Sequence, residues 1–288
     1  MKFGIAGWSY EDWKDVVYPR GCKDTLRFCA EHVDLIEINS SFYHVPPARN
    51  CESWARRVED LPEFFFTAKL PRDVTHKGEI TSEMIDQARE GFAPLVDAGR
   101  LRMLLAQFSY RFTFTPDNLL HLQRIHEAFG GMAPIAVEVR HGSWGKDDGL
   151  HALGELPCTI VNLDYPGSQS GFGPNVTDMN GPKQMAYFRL HGRNAKAWFD
   201  KEAGRDAVYD YEYSDAEVTK LGERARAIDE NAGSTIVVAN NHYLGKEFKL
   251  ALELKAWYRE QKVQVPELLL RTYPSLAQIA VGRGELFS

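Results

Sequence analysis

Glu37 and Asn39, Glu138 and Arg140, Asn162 and Asp164, and Arg189 and His191 are ionisable or amide residues in pairs two positions apart, each near the end of an apolar run. Lys69 ends the run that begins at Phe64, Gln107 the run from Met103, and Asn240, Asn241 and His242 the run from Ile236. Removing an unpaired charge from water costs several kcal/mol, so a buried strand gains nothing from a terminal carboxylate or guanidinium. Seven runs that end alike predict strand C-termini meeting at one polar site.

The residue types suggest what such a site could do. Glu37, Glu138 and Asp164 are candidates for proton transfer, and a raised pKa in a dry bowl would fit one of them as general acid. His191 joins them as a catalytic candidate, while His141 and His242 could act as acid, base or metal ligand. Lys69, Arg140, Arg189 and Arg193 provide positive charge, and the planar arginine fork matches carboxylate or phosphate. Trp8, Tyr43 and Trp144, with Tyr10, Trp13, Phe42, Tyr165, Trp198 and Tyr211, supply aromatic faces for a sugar or base. The substrate-binding set is therefore Trp8, Asn39, Tyr43, Lys69, Gln107, Arg140, His141, Trp144, Arg189, Arg193, Asn240 and Asn241.

Two structural alternatives accompany this reading. The charges could be interior ion pairs, Glu138 with Arg189 and Glu37 with Arg140 or Lys69, that hold the fold together. The aromatics could simply pack loops. A catalytic metal needs three or more ligands at about 2.0 to 2.2 Å. The chain has no H-x-H and no H-E-x-x-H, so no metal ligand is assigned.

Strand-like runs alternate with helix-like runs along the chain. The first strand, Phe3 to Ala6, precedes a helix over Thr25 to His32. Later helices are expected around Cys51 to Arg57, Ser82 to Val96, Pro116 to His126, Asp148 to Leu153, Asp215 to Asn231 and Lys246 to Tyr258. Pro116 suits a first helical turn, and Asn231-Ala232-Gly233 a helix stop. Ser40 to Pro47 is a loop, since its proline pair blocks a regular element. Pro166 to Pro174 reads as the most flexible connection and follows the sixth strand, on the same face as the site.

Eight β runs alternating with helices predict a parallel α/β sheet, with a single (β/α)8 TIM-type barrel as the preferred form. The core would span about residues 3–258 of one domain over 1–288, with 263–288 as a C-terminal helical cover. The competitor is a doubly wound open sheet, but that fold carries a Gly-rich turn after its first strand. Here Gly4-Ile5-Ala6-Gly7-Trp8 places bulky Trp8 where a dinucleotide would need close backbone approach. If the polar member of each pair points inward, Ile36, Ile38, Val137, Val139, Leu163 and Leu190 face the helices.

The chain has 288 residues, 44% of them hydrophobic and 12% aromatic, which furnishes a large core. A net charge of -6 argues against wholesale coating of DNA or anionic membrane. No apolar run approaches the roughly 18 to 20 residues of a membrane span, and the N-terminus lacks a signal-peptide core. Cys22, Cys29, Cys51 and Cys158 form no C-x-x-C pair, consistent with reduced thiols in a cytoplasmic protein.

Several motifs resemble those of one family. They are Gly7-Trp8-Ser9-Tyr10 with Trp13 and Tyr18-Pro19, Glu37-Ile38-Asn39-Ser40-Ser41-Phe42-Tyr43, Ala68-Lys69-Leu70-Pro71-Arg72 with Thr75-His76, and Glu138-Val139-Arg140-His141 with Ser143-Trp144. Arg189-Leu190-His191-Gly192-Arg193 and Asn240-Asn241-His242 complete the series. In order and type they are similar to the YecE-like family, domain of unknown function seventy-two, from about Phe3 to Trp257. The resemblance implies a TIM-type barrel and no established activity. Gln107-Phe108-Ser109-Tyr110 departs from the Gln-Leu-Pro-Pro common there.

Two functions fit these residues. One is an enzyme, a hydrolase or lyase using carboxylate or histidine chemistry on an anionic substrate such as a phosphorylated sugar, a nucleotide or a nucleic-acid end. The other is a non-catalytic module binding nucleic acid or a metabolite. A carboxylate facing open space would favour the first.

Overall fold

The computed structural model describes residues 1–167, 172, 185–200 and 202–282. Most of the Pro166 to Pro174 loop and the last six residues of the C-terminal cover lie outside the described residues.

Nine parallel strands form the sheet: β1 (Lys2–Ile5), β2 (Leu35–Ile38), β3 (Phe65–Lys69), β4 (Leu101–Gln107), β5 (Ile135–Glu138), β6 (Thr159–Ile160), β7 (Asn162–Asp164), β8 (Met185–Leu190) and β9 (Ser234–Ala239). Their order is β6-β5-β4-β3-β2-β1-β9-β8-β7. The expected eight runs are present, but the sixth is divided at Val161. β6 pairs with β5 and β7 pairs with β8, so this one stretch of chain joins the two ends of the sheet into a barrel. Val161 bridges the break, its N–H donating to Val137 O at 2.9 Å.

Two apolar layers follow from strand alternation. Leu35, Phe65, Met103, Leu105, Ala136, Val161, Leu163, Tyr187, Ile236 and Val238 form an inner cluster. Ile36, Ile38, Val137, Val139 and Leu190 belong to the larger cluster shared with the helices, as alternation predicts. Leu163 does not. It points inward, so its neighbours Asn162 and Asp164 point outward. The inward-facing series expected for Glu37, Glu138 and Arg189 does not extend to the sixth strand.

Helices fill the connections: α1 (Thr25–Ala30), α2 (Ala48–Arg57), α3 (Ser82–Asp97), α4 (Pro116–Phe129), α5 (Asp147–Gly154), α6 (Ala195–Trp198), α7 (Arg205–Val208), α8 (Asp215–Asn231), α9 (Lys246–Arg259) and α10 (Glu267–Thr272). Side-chain caps set the starts of α1, α3, α4, α6 and α8. Thr115 accepts from Asn118 N at 3.2 Å ahead of Pro116, and Ser214 and Glu217 form a capping box on α8. α10 and a 3-10 turn after it (Pro274–Gln278) form a helical C-terminal extension, with Leu269 and Leu276 fully buried. Val263 N–H holds the tail by donating to Ile279 O at 2.8 Å.

Candidate functional site

A cleft of about 430 Å³ opens at the C-terminal ends of β1, β2, β3, β4 and β9. Four of these strands end with an inward side chain: Asn39 just beyond β2, Lys69 on β3, Gln107 on β4 and Asn240 just beyond β9, all of which line it. Trp8, Tyr10, Phe42, Tyr43 and Tyr209 form its aromatic walls.

The β1 wall is built around Gly7, whose φ of 109° favours glycine and where a Cβ would lie 2.6 Å from Tyr10 Oη. That turn aims the Ala6 carbonyl at two cleft residues. Tyr10 donates to it, and Asn39 Nδ2 donates at 2.8 Å. Tyr10 stacks on His242 with centroids 4.6 Å apart and planes 9° apart, and Tyr209 tilts against the same imidazole at 5.0 Å.

A charged network lies beneath the cleft. Arg189 Nη2 donates to Glu37 Oε1 at 2.6 Å, and Arg189 Nη1 donates to Glu138 and, at 2.9 Å, to Gln107 Oε1. Arg140 donates to Glu138 Oε1 through Nε at 2.9 Å and Nη2 at 2.6 Å. Tyr187 donates to the second oxygen of Glu37 and sits 3.0 Å from Thr67 Oγ1. Glu37, Glu138, Arg189 and His191 are wholly buried, and none of them lines the cleft.

These contacts decide the protonation states. Burial alone would raise the Glu138 carboxyl, but Arg189 and then Arg140 outweigh it and hold the group well below the usual carboxylate range. Burial pushes His191 down to about 3, with Glu138 opposing. Asn240 Nδ2 lies 2.9 Å from His191 Nδ1, and His191 Nε2 lies 3.3 Å from both Glu138 Oε1 and Arg189 Nη1. Burial first, and then the charge of Arg189, bring Lys69 down from 10.5 to about 8.

Several expectations need correcting. Glu37 and Glu138 do not face open space, and a carboxyl held as low as Glu138 is no general acid near neutrality. The arrangement is instead the ion-pair alternative, with Glu138 on Arg189 and Arg140, and Glu37 on Arg189 rather than on Arg140 or Lys69. Asp164 faces the helix layer. It accepts from Arg193 Nη2 at 2.8 Å and Tyr213 Oη at 2.7 Å, and Arg193 reaches on to Glu217 at 3.0 Å. Asp164 and Arg193 thus clamp the chain entering α8.

Trp144 is fully buried in the outer core, its Nε1 donating to Phe112 O at 2.8 Å. His141 accepts from Ser143 N at 3.1 Å and packs on Tyr110, and Asn241 donates to Tyr211 O at 2.8 Å. None of these three lines the cleft. The loop after β4, which lacks the proline pair, is braced by stacked rings. Phe108 stacks on Phe112 at 3.9 Å, and Phe112 on Trp144 at 5.6 Å.

Of the expected binding residues, Trp8, Asn39, Tyr43, Lys69, Gln107 and Asn240 meet in one space. Tyr209 and Tyr187 were not anticipated. Tyr187 lies two before Arg189 and shares its inward face, and Tyr209 begins the alternating series Tyr209, Tyr211, Tyr213. Either spacing was a usable signal.

The family model described as "Protein of unknown function DUF72" matches residues 2–275. The chain belongs to the DUF72 family. It is 28% identical over 258 residues to the UPF0759 protein YunF of Bacillus subtilis, covering 83% of this chain and 88% of that one. A crystal structure of a DUF72 family protein from Thermotoga maritima superposes with a TM-score of 0.75 at 31% identity, covering 89% of this chain and 98% of the other. One from Enterococcus faecalis gives 0.77 at 26% identity, covering 90% and 95%. D-allulose 3-epimerase from Methylomonas sp. shares the barrel fold, with a TM-score of 0.51 at 12% identity, over 90% of this chain and 97% of that one. Among the described residues no helix is long and apolar enough to cross a membrane.

Proposed function

We propose that this protein binds and acts on a small anionic molecule in the cleft at the strand C-termini, drawn from phosphorylated sugars, nucleotides or nucleic-acid ends. One observation carries the reading. Lys69 is the single lysine or arginine among the described residues lining the cleft, and no carboxylate lines it. Its ammonium makes no ion pair among the described residues, because the nearby Glu37 and Glu138 are taken by Arg189 and Arg140. With Arg140 and Arg189, Lys69 sets three cations against two carboxylates, so the floor is net positive and suits an anion. Asn39, Gln107 and Asn240 offer neutral hydrogen bonds for hydroxyls, and Trp8 and Tyr43 offer faces for a ring.

The catalytic role moves from the carboxylates to Lys69, an amine held near neutrality and so able to carry a proton in either direction. The pairing of Glu37 and Glu138 with arginine favours a second reading, a binding module without turnover. Calorimetric titration with D-ribose 5-phosphate tests the first step. Saturable binding to the native chain and at least about tenfold weaker binding to Lys69→Met are expected. Equal binding to both would overturn the reading.

A further inference from the structure

We infer that the ligand of this cleft is a carbonyl compound, an aldose or ketose phosphate in its open-chain form, and that Lys69 Nζ attacks the carbonyl carbon to form an imine. The inference rests on the anion-binding reading above and names the class of molecule within it.

Three observations converge on the amine. Lys69 lies at the floor of the cleft, 8% exposed, with its nitrogen 5.6 Å from the Phe42 ring centroid. Salt-bridged lysine is a poor nucleophile because its lone pair is held as N–H⁺, and here both carboxylates that could hold the proton are occupied. Burial and the guanidinium of Arg189 also disfavour the proton on Lys69.

The surrounding amides suit the adduct. Gln107 gives its Oε1 to Arg189, which leaves its NH2 end for a ligand. Asn39 is fixed by its Nδ2 on Ala6 O, and its Oδ1 is a buried acceptor with no hydrogen-bond partner among the described residues. A donor is missing there, and a sugar hydroxyl supplies one.

The chemistry balances without a further reactant. The amine lone pair forms the C–N bond as the carbonyl π bond opens onto oxygen. One proton moves from nitrogen to that oxygen and gives a carbinolamine. Loss of water from the carbinolamine, drawing the second nitrogen proton, leaves the neutral imine. A protonated imine retains positive charge at the point where the ammonium stood, so the floor continues to attract the phosphate.

The test uses the full chain with D-ribose 5-phosphate and sodium cyanoborohydride near pH 7.5, followed by peptide mapping. D-ribitol 5-phosphate, which carries the phosphate but no carbonyl, is the companion probe. Reductive labelling of Lys69 roughly tenfold faster than of surface lysines is expected, slowed by added inorganic phosphate. Lys69→Arg keeps the charge but forms no imine, so it should bind D-ribitol 5-phosphate and show no preferred label. If Lys69 labels no faster than surface lysines while D-ribitol 5-phosphate still binds and Lys69→Met does not bind it, the imine is overturned and the anion site stands. If neither phosphate binds, both fall.

Discussion

Arg189 and Lys69 divide one task unequally. The guanidinium pairs with Glu37 and shares Glu138 with Arg140, and the ammonium is left facing the cleft without an ion pair among the described residues. A buried pair is often no more stabilising than an apolar replacement, but stripping one partner leaves an uncompensated charge. Arg189→Met should therefore lower unfolding stability by about 3 to 5 kcal/mol. Urea denaturation measures it, and a loss under about 1 kcal/mol would mean the network is dispensable.

Acid should weaken the fold in two stages. His191 has a folded pKa near 3 against an ordinary 6.5, so the unfolded chain binds the extra proton between those values. Its stabilisation is complete above 6.5 and declines as pH falls through that window, at up to about 1.4 kcal/mol per pH unit. Glu138, lowered from 4.5, adds its own loss below that value. Melting temperature against pH checks this. A profile flat from pH 6.5 to 4 would contradict the neutral, buried imidazole.

The opposite limb reports on Lys69. Its folded pKa near 8 lies below the ordinary 10.5, so the unfolded chain holds more protons between the two and stability should gain as pH rises there. Other groups titrate in this range, so the comparison is with Lys69→Met. The native chain should gain stability relative to the variant from pH 8 to 10.5, and identical slopes would place the amine in ordinary surroundings.

Binding and stability should separate along the register break at the sixth strand. Asp164→Asn removes the negative charge and turns one of the two oxygens that accept from Arg193 and Tyr213 into a donor, and should destabilise by about 1 to 3 kcal/mol with ligand affinity intact. Asn39→Ala should do the reverse, weakening D-ribose 5-phosphate binding about fivefold or more. Paired calorimetry and denaturation on both variants decide it, and a loss of affinity in Asp164→Asn alone would reverse the assignment.

Trp144→Ala should cost about 3 to 5 kcal/mol, since it removes the base of the Phe108, Phe112 and Trp144 stack. Unchanged stability would mean that loop has another support.

Much of this was visible in the sequence. The barrel could be read because each strand is an apolar run with both faces buried, and α8 begins at its capping box and ends at Asn231. The cleft residues Asn39, Lys69, Gln107 and Asn240 could be read because a polar residue after an apolar run is costly unless something uses it. Depth was not visible. Glu37 and Asn39 share a face, yet one residue-pair step along the strand separates the sealed network from the open cleft. Nor was the parity of the sixth strand, since Asn162-Leu163-Asp164 alternates equally well in either orientation and only Val161 fixes which face turns inward.

The division at Val161 also has a mechanical side. Among the described residues every other strand of the cylinder is gripped by a neighbour on both flanks, whereas β6 holds only β5 and β7 only β8. Asn162, next to the break, is buried, and neither of its amide atoms has a hydrogen-bond partner among the described residues. The cylinder therefore has a seam, one line along which its hoop is thinnest. Heat or force should part it there first, on the side away from Lys69, so that the wall can loosen before the floor of the cleft does.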